Sequence, residues 1–215
     1  MDRHSAFARF AVLAFASTSC AHDLSFLEAG AAVQVFADRG AFVAASPPLA
    51  TVEFEGIAQP GTVVRFGTAA GLTLGGATFV GLAADGRNHE LYVQSDTYVV
   101  STDWGTGDSL IGDRFRYLGG VGGHVAITPP AGTTAIGTDF MTVLTDRSRP
   151  SSRCRFSVTA GGIVSEFFAM SNGTRPAFIG FVSARPITRV EFATTAGSGD
   201  ASPYGVLDNV SFGHP

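Results

Sequence analysis

The sequence contains no lysine, and all 14 of its basic residues are arginine. A P-loop and a Ser-x-x-Lys nucleophile motif both need a lysine, so both are excluded. Charged residues make up only 15% of the chain, against about 25% in ordinary globular proteins. The net charge of −4 disfavours a nucleic-acid groove, because such a groove needs clustered positive charge.

Cysteine is also scarce, with only Cys20 and Cys154 present. Cys20 lies in a candidate leader, so an internal disulfide is not expected. Arginines flank Cys154 and could activate its thiol, but a small hydrophobic residue in a strand is the favoured interpretation. The sequence has no His-Glu-x-x-His motif, no Cys/His cluster and no Gly-x-Ser-x-Gly motif. A zinc site and a serine-hydrolase site are therefore disfavoured.

Residues 1–22 have the features of an export signal. A basic start is followed by the short apolar run Phe10–Ala16 and by a small-x-small cleavage site at Ser19–Ala21. The apolar run is far shorter than the ~20 residues that span a bilayer, so no membrane-spanning segment is expected. The predicted location is secreted or cell envelope. Lipidation of Cys20 is a less favoured alternative, because Ser17 stands where a lipoprotein signal normally has leucine.

The rest of the chain indicates an all-β fold. Short segments of alternating polarity are separated by turns rich in glycine and proline, as in a sandwich or barrel. We predict a jelly-roll-like antiparallel β-sandwich over residues 51–215. A segment at residues 23–50 precedes it and contains one short helix over Phe36–Ala45, which Ser46-Pro47-Pro48 would end. No linker divides the mature chain, so one domain is expected.

The last hydrophobic run, Gly205–Gly213, contains the most conspicuous polar residue. In a regular strand Val206, Asp208, Val210 and Phe212 share one face. The pattern therefore places a carboxylate among core residues, where it must be paired, hydrogen-bonded or bound to a metal. Either calcium or backbone and hydroxyl hydrogen bonds would satisfy Asp208, and the sequence leaves both open.

Aromatic residues and carboxylates elsewhere in the chain are further candidates. Trp104 and Tyr117 are candidates for a ligand-binding surface, because sugar rings pack their C–H faces on aromatic rings. The alternative is that each ring closes one end of the core. Paired carboxylates could instead hydrolyse glycosides, but nothing singles out a pair among the five available, which are Asp103, Asp108, Asp113, Asp139 and Glu166.

Several short motifs suggest a family. They are Ala41–Val43, Thr51–Gly56, Thr134–Phe140, Phe178–Phe181, Pro186–Val190 and Val206–Val210. Together they resemble the secreted β-sandwich domains of bacterial PEP-CTERM-type exosortase substrates, which are similar to jelly-roll carbohydrate-binding modules. The resemblance covers roughly residues 33–213. It implies calcium ligands at Glu55 and Asp208. The sequence ends at Pro215 without the family's sorting signal, so membrane-anchored sorting is not expected.

The sequence therefore favours an exported, non-catalytic β-sandwich that binds extracellular polysaccharide or a partner at the cell surface or in the matrix. Calcium is expected as a structural ion. A structural matrix or envelope protein without a small ligand is the alternative, and a glycoside hydrolase is less favoured.

Overall fold

The computed structural model describes residues 33–67, 70–82, 88–95, 109–111, 124–143, 152–171, 175–194 and 204–214. These ranges contain fifteen β-strands and one short helix. All the strand pairs are antiparallel and form two sheets. The predicted all-β sandwich with one short helix near the N terminus is confirmed. The candidate leader at residues 1–22, with Cys20, lies outside the described ranges.

The first sheet has eight described strands. They are β1 (Val33–Phe36), β2 (Leu49–Val52), β3 (Val63–Phe66), β7 (Leu91–Gln94), β8 (Ser109–Ile111), β10 (Ala135–Val143), β13 (Ala177–Ser183) and β15 (Tyr204–Gly213). Their order across the sheet is β1-β13-β10-β15-β8-β7-β3, and β2 pairs with the C-terminal half of β15. The first strand of the predicted sandwich and its last strand are therefore neighbours.

The second sheet has seven described strands. They are β4 (Leu72–Leu74), β5 (Ala77–Leu82), β6 (Asn88–His89), β9 (His124–Thr128), β11 (Ser152–Ala160), β12 (Ile163–Ser171) and β14 (Ile187–Thr194). Their order is β12-β11-β14-β9-β5-β4, and β6 pairs with β5. The β4–β5 hairpin turns at Gly75 and Gly76, which both have positive φ. Glycine adopts that conformation without steric cost.

Phenylalanine rings fill the space between the two sheets. Phe140 of the first sheet contacts Phe156 and Phe192 of the second, with ring centroids 5.1 and 6.0 Å apart. Phe181 reaches Phe156 in the same layer, at 5.8 Å. These rings are almost completely buried, and burial of each contributes roughly 1.5–3 kcal/mol. The inward positions of the alternating strands therefore form one continuous core.

The single described helix, α1 (Arg39–Ala45), lies on the outer face of the first sheet. Asp38 caps its N terminus by accepting a 2.8 Å hydrogen bond from the Ala41 amide. The predicted helix began at Phe36, but Phe36 belongs to β1 and lies opposite Gly180. Within the described ranges no helix is both long and apolar enough to cross a membrane.

A β-bulge in β15 changes which of its residues share a face. The register of β15 against β10 shifts between Gly137 and Asp139, and Asn209 has a positive φ of 49°. Leu207, Val210 and Phe212 all pack in the core. Asp208 is next to Leu207 and therefore points to the opposite, outer face. The prediction that Asp208 shares a face with Val210 and Phe212 is wrong, because the extra residue reverses the alternation.

Candidate functional site

The bulge brings two carboxylates together on the outer face of the first sheet. Asp208 lies directly opposite Asp139 of β10. The Asn209 side-chain amide donates to both groups, at 3.0 Å to Asp139 Oδ2 and 3.2 Å to Asp208 Oδ2. The Asn209 backbone amide donates to Asp208 Oδ1 at 2.7 Å. Asp208 is only 1% exposed, and these hydrogen bonds offset part of the cost of its burial.

The helix α1 supplies a positive charge to this carboxylate pair. Arg39 Nη2 lies 2.6 Å from Asp139 Oδ1. The same guanidinium lies over the ring of Phe178, 4.5 Å from its centroid. Like charges opposite one another on adjacent strands repel, so Arg39 and Asn209 lower the cost of placing Asp139 beside Asp208. The cluster therefore joins the helix to the sheet.

The two predicted calcium ligands, Glu55 and Asp208, lie in different environments. Asp208 is buried, whereas Glu55 is exposed in the turn that follows β2. Among the described residues, no group of three or more His, Cys, Asp or Glu side chains is placed to hold a metal ion. The assignment of calcium to Glu55 and Asp208 stays a prediction. The two predicted ligand-binding aromatics, Trp104 and Tyr117, lie outside the described residues.

A second cluster lies on the outer face of the second sheet, which we call the arginine–glutamate platform. It consists of alternating side chains from the three adjacent strands β12, β11 and β14, namely Arg153, Arg155, Glu166, Phe168, Arg189 and Glu191. The intervening residues of β11, Cys154 and Phe156, point into the core. Alternation along each strand and the register between strands therefore collect the polar residues on one surface.

Two ion pairs order the platform. Arg155 Nη1 donates to Glu166 Oε1 at 3.3 Å, and Arg189 Nε donates to Glu191 Oε1 at 2.7 Å. The four side chains remain 35–41% exposed. Exposed pairs of this kind contribute little to stability, about 0–1 kcal/mol each. They hold charged groups in fixed positions that solvent and ligands can reach.

Ser157 lies between the two glutamates of the platform, and Phe168 is its aromatic residue. Ser157 of β11 lies opposite Glu166 on one side and opposite Glu191 on the other, so a small side chain separates the two carboxylates. Phe168 is partly buried, and the Arg153 guanidinium lies 3.8 Å from the centre of its ring. The platform thus combines hydrogen-bond donors, acceptors and an aromatic ring.

Next to the platform, His124 of β9 is 9% exposed. Its Nε2 is buried and has no hydrogen-bond partner among the described residues. Burial lowers the pKa of His124, nearby Arg155 lowers it further, and Glu191 acts in the opposite direction. The neutral imidazole is therefore the form that fits this position.

Cys154 lies beneath the platform, in the core. Its side chain is completely buried, and burial raises the pKa of the thiol to about 12. The flanking Arg153 and Arg155 point to the opposite face and do not activate it. Cys154 behaves as a small hydrophobic residue, as favoured from the sequence.

The platform is not evident from the sequence alone. Glu166 was one of five candidate carboxylates, and no pattern linked it to Glu191 or to the arginines. The available signal was the alternation of charged with apolar residues in three strand segments, Arg153–Thr159, Ile163–Met170 and Thr188–Thr194. That pattern shows that the charges face outward, but only the register shows which of them are neighbours.

Comparisons with protein-family models, with curated proteins and with solved structures found no match.

Proposed function

We propose that this protein is an exported β-sandwich that binds extracellular polysaccharide through the arginine–glutamate platform. The observation that carries the proposal is the platform itself, in which two ordered Arg–Glu pairs and the Phe168 ring share one accessible sheet face. The candidate export signal and the resemblance to carbohydrate-binding modules support the same function.

The chemistry of the platform suits a sugar chain. A sugar hydroxyl both donates and accepts hydrogen bonds, as a serine hydroxyl does, while guanidinium groups donate and carboxylates accept. The Phe168 ring, with the Arg153 guanidinium over it, offers a flat surface on which the C–H face of a sugar ring can pack. The ion pairs hold Arg155 and Arg189 in place before a ligand arrives, which lowers the entropy lost on binding.

The charge of the platform favours a neutral or weakly acidic chain. Arg155 and Arg189 are matched by Glu166 and Glu191, and Arg153 adds one further positive charge. A strongly anionic polymer would meet two carboxylates at the centre of the surface, on either side of Ser157. Such juxtaposed like charges weaken binding.

The test is a binding assay of the full chain against a panel of neutral and acidic polysaccharides. We expect binding to at least one polysaccharide, and the Phe168→Ala variant should bind it roughly two- to tenfold more weakly, since loss of an aromatic contact costs about 0.5–1.5 kcal/mol. Arg155→Ala should also weaken binding, because it removes a donor and leaves Glu166 without that pair.

Arg65→Ala is the matched control. Arg65 also lies over an aromatic ring, that of Tyr92 at 5.5 Å, but it belongs to β3 of the first sheet. This variant should bind as the unchanged protein does. A polysaccharide that binds equally well to Phe168→Ala, Arg155→Ala and the parent protein would contradict the platform as its site. Trp104→Ala and Tyr117→Ala, in the same assay, test the ligand contacts predicted from the sequence.

The two alternatives predict different results. A structural matrix protein without a small ligand would bind no polysaccharide in the panel. A glycoside hydrolase would release reducing ends from a bound polysaccharide. If such release occurred, Glu166→Gln and Glu191→Gln would test the two carboxylates of the platform, which lie on either side of Ser157.

A further inference from the structure

The strand β12 forms a long edge of the second sheet. All nine of its residues pair with β11, and no other described strand pairs with it. The strand at the opposite edge, β4, has only three residues. A nine-residue edge presents a row of backbone N–H and C=O groups to which another strand can pair.

This edge carries few of the features that usually prevent pairing. Proteins protect their edges with proline, lysine, bulges or inward-pointing charges. The β12 sequence, IVSEFFAMS, contains no proline and no basic residue, and its register against β11 has no shift. Its one charged residue, Glu166, points outward and is paired with Arg155. Val164, also on the outer face, is 54% exposed.

We propose that β12 pairs antiparallel with β12 of a second copy of this chain, about a twofold axis through Phe167. The two second sheets would then form one continuous sheet. A twofold axis perpendicular to the sheet makes the inner face of one copy continuous with the inner face of the other, and likewise the outer faces. This is the self-complementary geometry of a symmetric dimer.

The sequence of β12 selects this register. With the axis at Phe167, all nine residues of β12 have a partner across the edge. Val164 then lies opposite Met170 of the other copy, and Glu166 lies opposite Phe168. An axis at Glu166 would place two glutamates opposite one another, which is unfavourable, and would pair two residues fewer. The register at Phe167 therefore has the most pairs and avoids the like charges.

Pairing in this way has a consequence for the platform. Because the outer faces stay on the same side, the platforms of the two copies would adjoin across the edge. If the proposed polysaccharide function holds, the dimer would offer a sugar chain a surface of twice the length. The dimer itself depends only on β12, so it is tested without any ligand.

The experiment measures the mass of the full chain in solution by light scattering and sedimentation over a range of concentrations. We expect a dimer. Val164→Lys and Met170→Lys should each raise its dissociation constant roughly tenfold or more, because each places a charge against an apolar partner. Val43→Lys is the matched control, since Val43 is the other large hydrophobic side chain that is exposed among the described residues, at 51%, and lies on α1. That variant should remain dimeric.

Cross-linking tests the register separately. In a Cys20→Ser background, the double variant Val164→Cys/Met170→Cys should form disulfides between chains on mild oxidation, and Glu166→Cys should not. A chain that is monomeric at every concentration would overturn the proposal. A dimer that tolerates both lysine variants, or one that cross-links through Glu166→Cys instead, would overturn it as well. Circular dichroism shows whether each variant is folded. If a lysine variant does not fold, the cross-linking of the cysteine variants still tests the proposed register.

Discussion

Phe42 of the helix lies directly against Gly180 of β13. A Cβ atom added to Gly180 would come within 2.4 Å of the Phe42 ring, and one added to Gly137 on the neighbouring strand would come within 2.7 Å. The ring is fully buried although it is outside the sandwich core. Because the two glycines have no side chain, the Phe42 ring packs directly against the backbone of the sheet, and this contact holds α1 there.

This contact predicts that Gly180→Ala is destabilising. The added methyl group must displace the ring or the helix, and overpacking of this kind costs about 1–3 kcal/mol. The midpoint of urea denaturation should fall with little change in slope. Gly67→Ala is the control, because a Cβ at Gly67 meets no atom of the described residues within 4 Å. Equal midpoints for the two variants would contradict the close fit.

A double-mutant cycle sharpens this test. Phe42→Ala alone should cost about 3–5 kcal/mol, as for other buried phenylalanines. In that background the clash at Gly180 is absent, so Gly180→Ala should add almost nothing. A sum of the two single effects would mean that the glycine and the ring do not interact.

The bulge at Asn209 leads to a second prediction. Asn209 has a left-handed backbone conformation and also donates hydrogen bonds to two carboxylates. Asn209→Gly keeps the backbone conformation and loses only the side-chain amide. Asn209→Ala also loses the side-chain amide and adds about 1–2 kcal/mol of backbone strain. We therefore expect Ala to be more destabilising than Gly by that amount in chemical denaturation. Equal effects would indicate that the backbone carries no strain there.

The sequence predicted most strands because polarity alternates within each and glycine or proline separates them. The alternating run His124–Thr128 predicts a strand and forms β9 residue for residue. The pair Gly75-Gly76 predicts a hinge within Leu72–Leu82 and forms the turn of the β4–β5 hairpin. The start of the helix was placed too early, because Phe36 is fixed in β1 by Gly180, which is distant in the sequence. Local patterns cannot show such a pairing.

The candidate sites were harder to predict for a related reason. Asp208 was singled out as a carboxylate among apolar neighbours, and it is indeed buried. Its outward direction depends on the bulge, and its neighbour Asp139 depends on the register between β15 and β10. The platform likewise exists only because β14 joins β11 across a gap in the sequence. Register between distant strands is set by tertiary packing, which a single sequence does not display.

The lowered pKa of His124 predicts that the folded chain loses stability in mild acid. Its pKa in the folded chain is lowered from the ordinary value of 6.5 by burial and by Arg155, with Glu191 opposing. The unfolded chain therefore binds the proton more readily. The contribution of His124 is complete above about pH 6.5 and declines as the pH falls toward the folded pKa, by at most about 1.4 kcal/mol per pH unit.

The measurement compares the denaturation midpoint at pH 7.5 and pH 5 for the parent chain and for His124→Gln. Other histidines and the carboxylates titrate in both proteins, so the difference between the two profiles isolates His124. We expect the parent protein to lose more stability on acidification than the variant does. Parallel profiles would mean that His124 has the same pKa in the folded and unfolded chains.

Calcium binding at Asp208 makes a prediction that hydrogen bonding alone does not. An ion that binds only the folded chain raises its melting temperature in proportion to the logarithm of its concentration. If Glu55 and Asp208 hold calcium, the melting temperature should rise with added calcium and fall with a chelator, and Asp208→Asn and Glu55→Gln should each abolish the response. Glu53→Gln is the control, because Glu53 is also exposed next to β2. A melting temperature indifferent to calcium would contradict the calcium assignment. Asp208→Asn would then destabilise the chain equally with and without the ion, because it alters hydrogen bonds of the buried carboxylate such as those from the Asn209 amides.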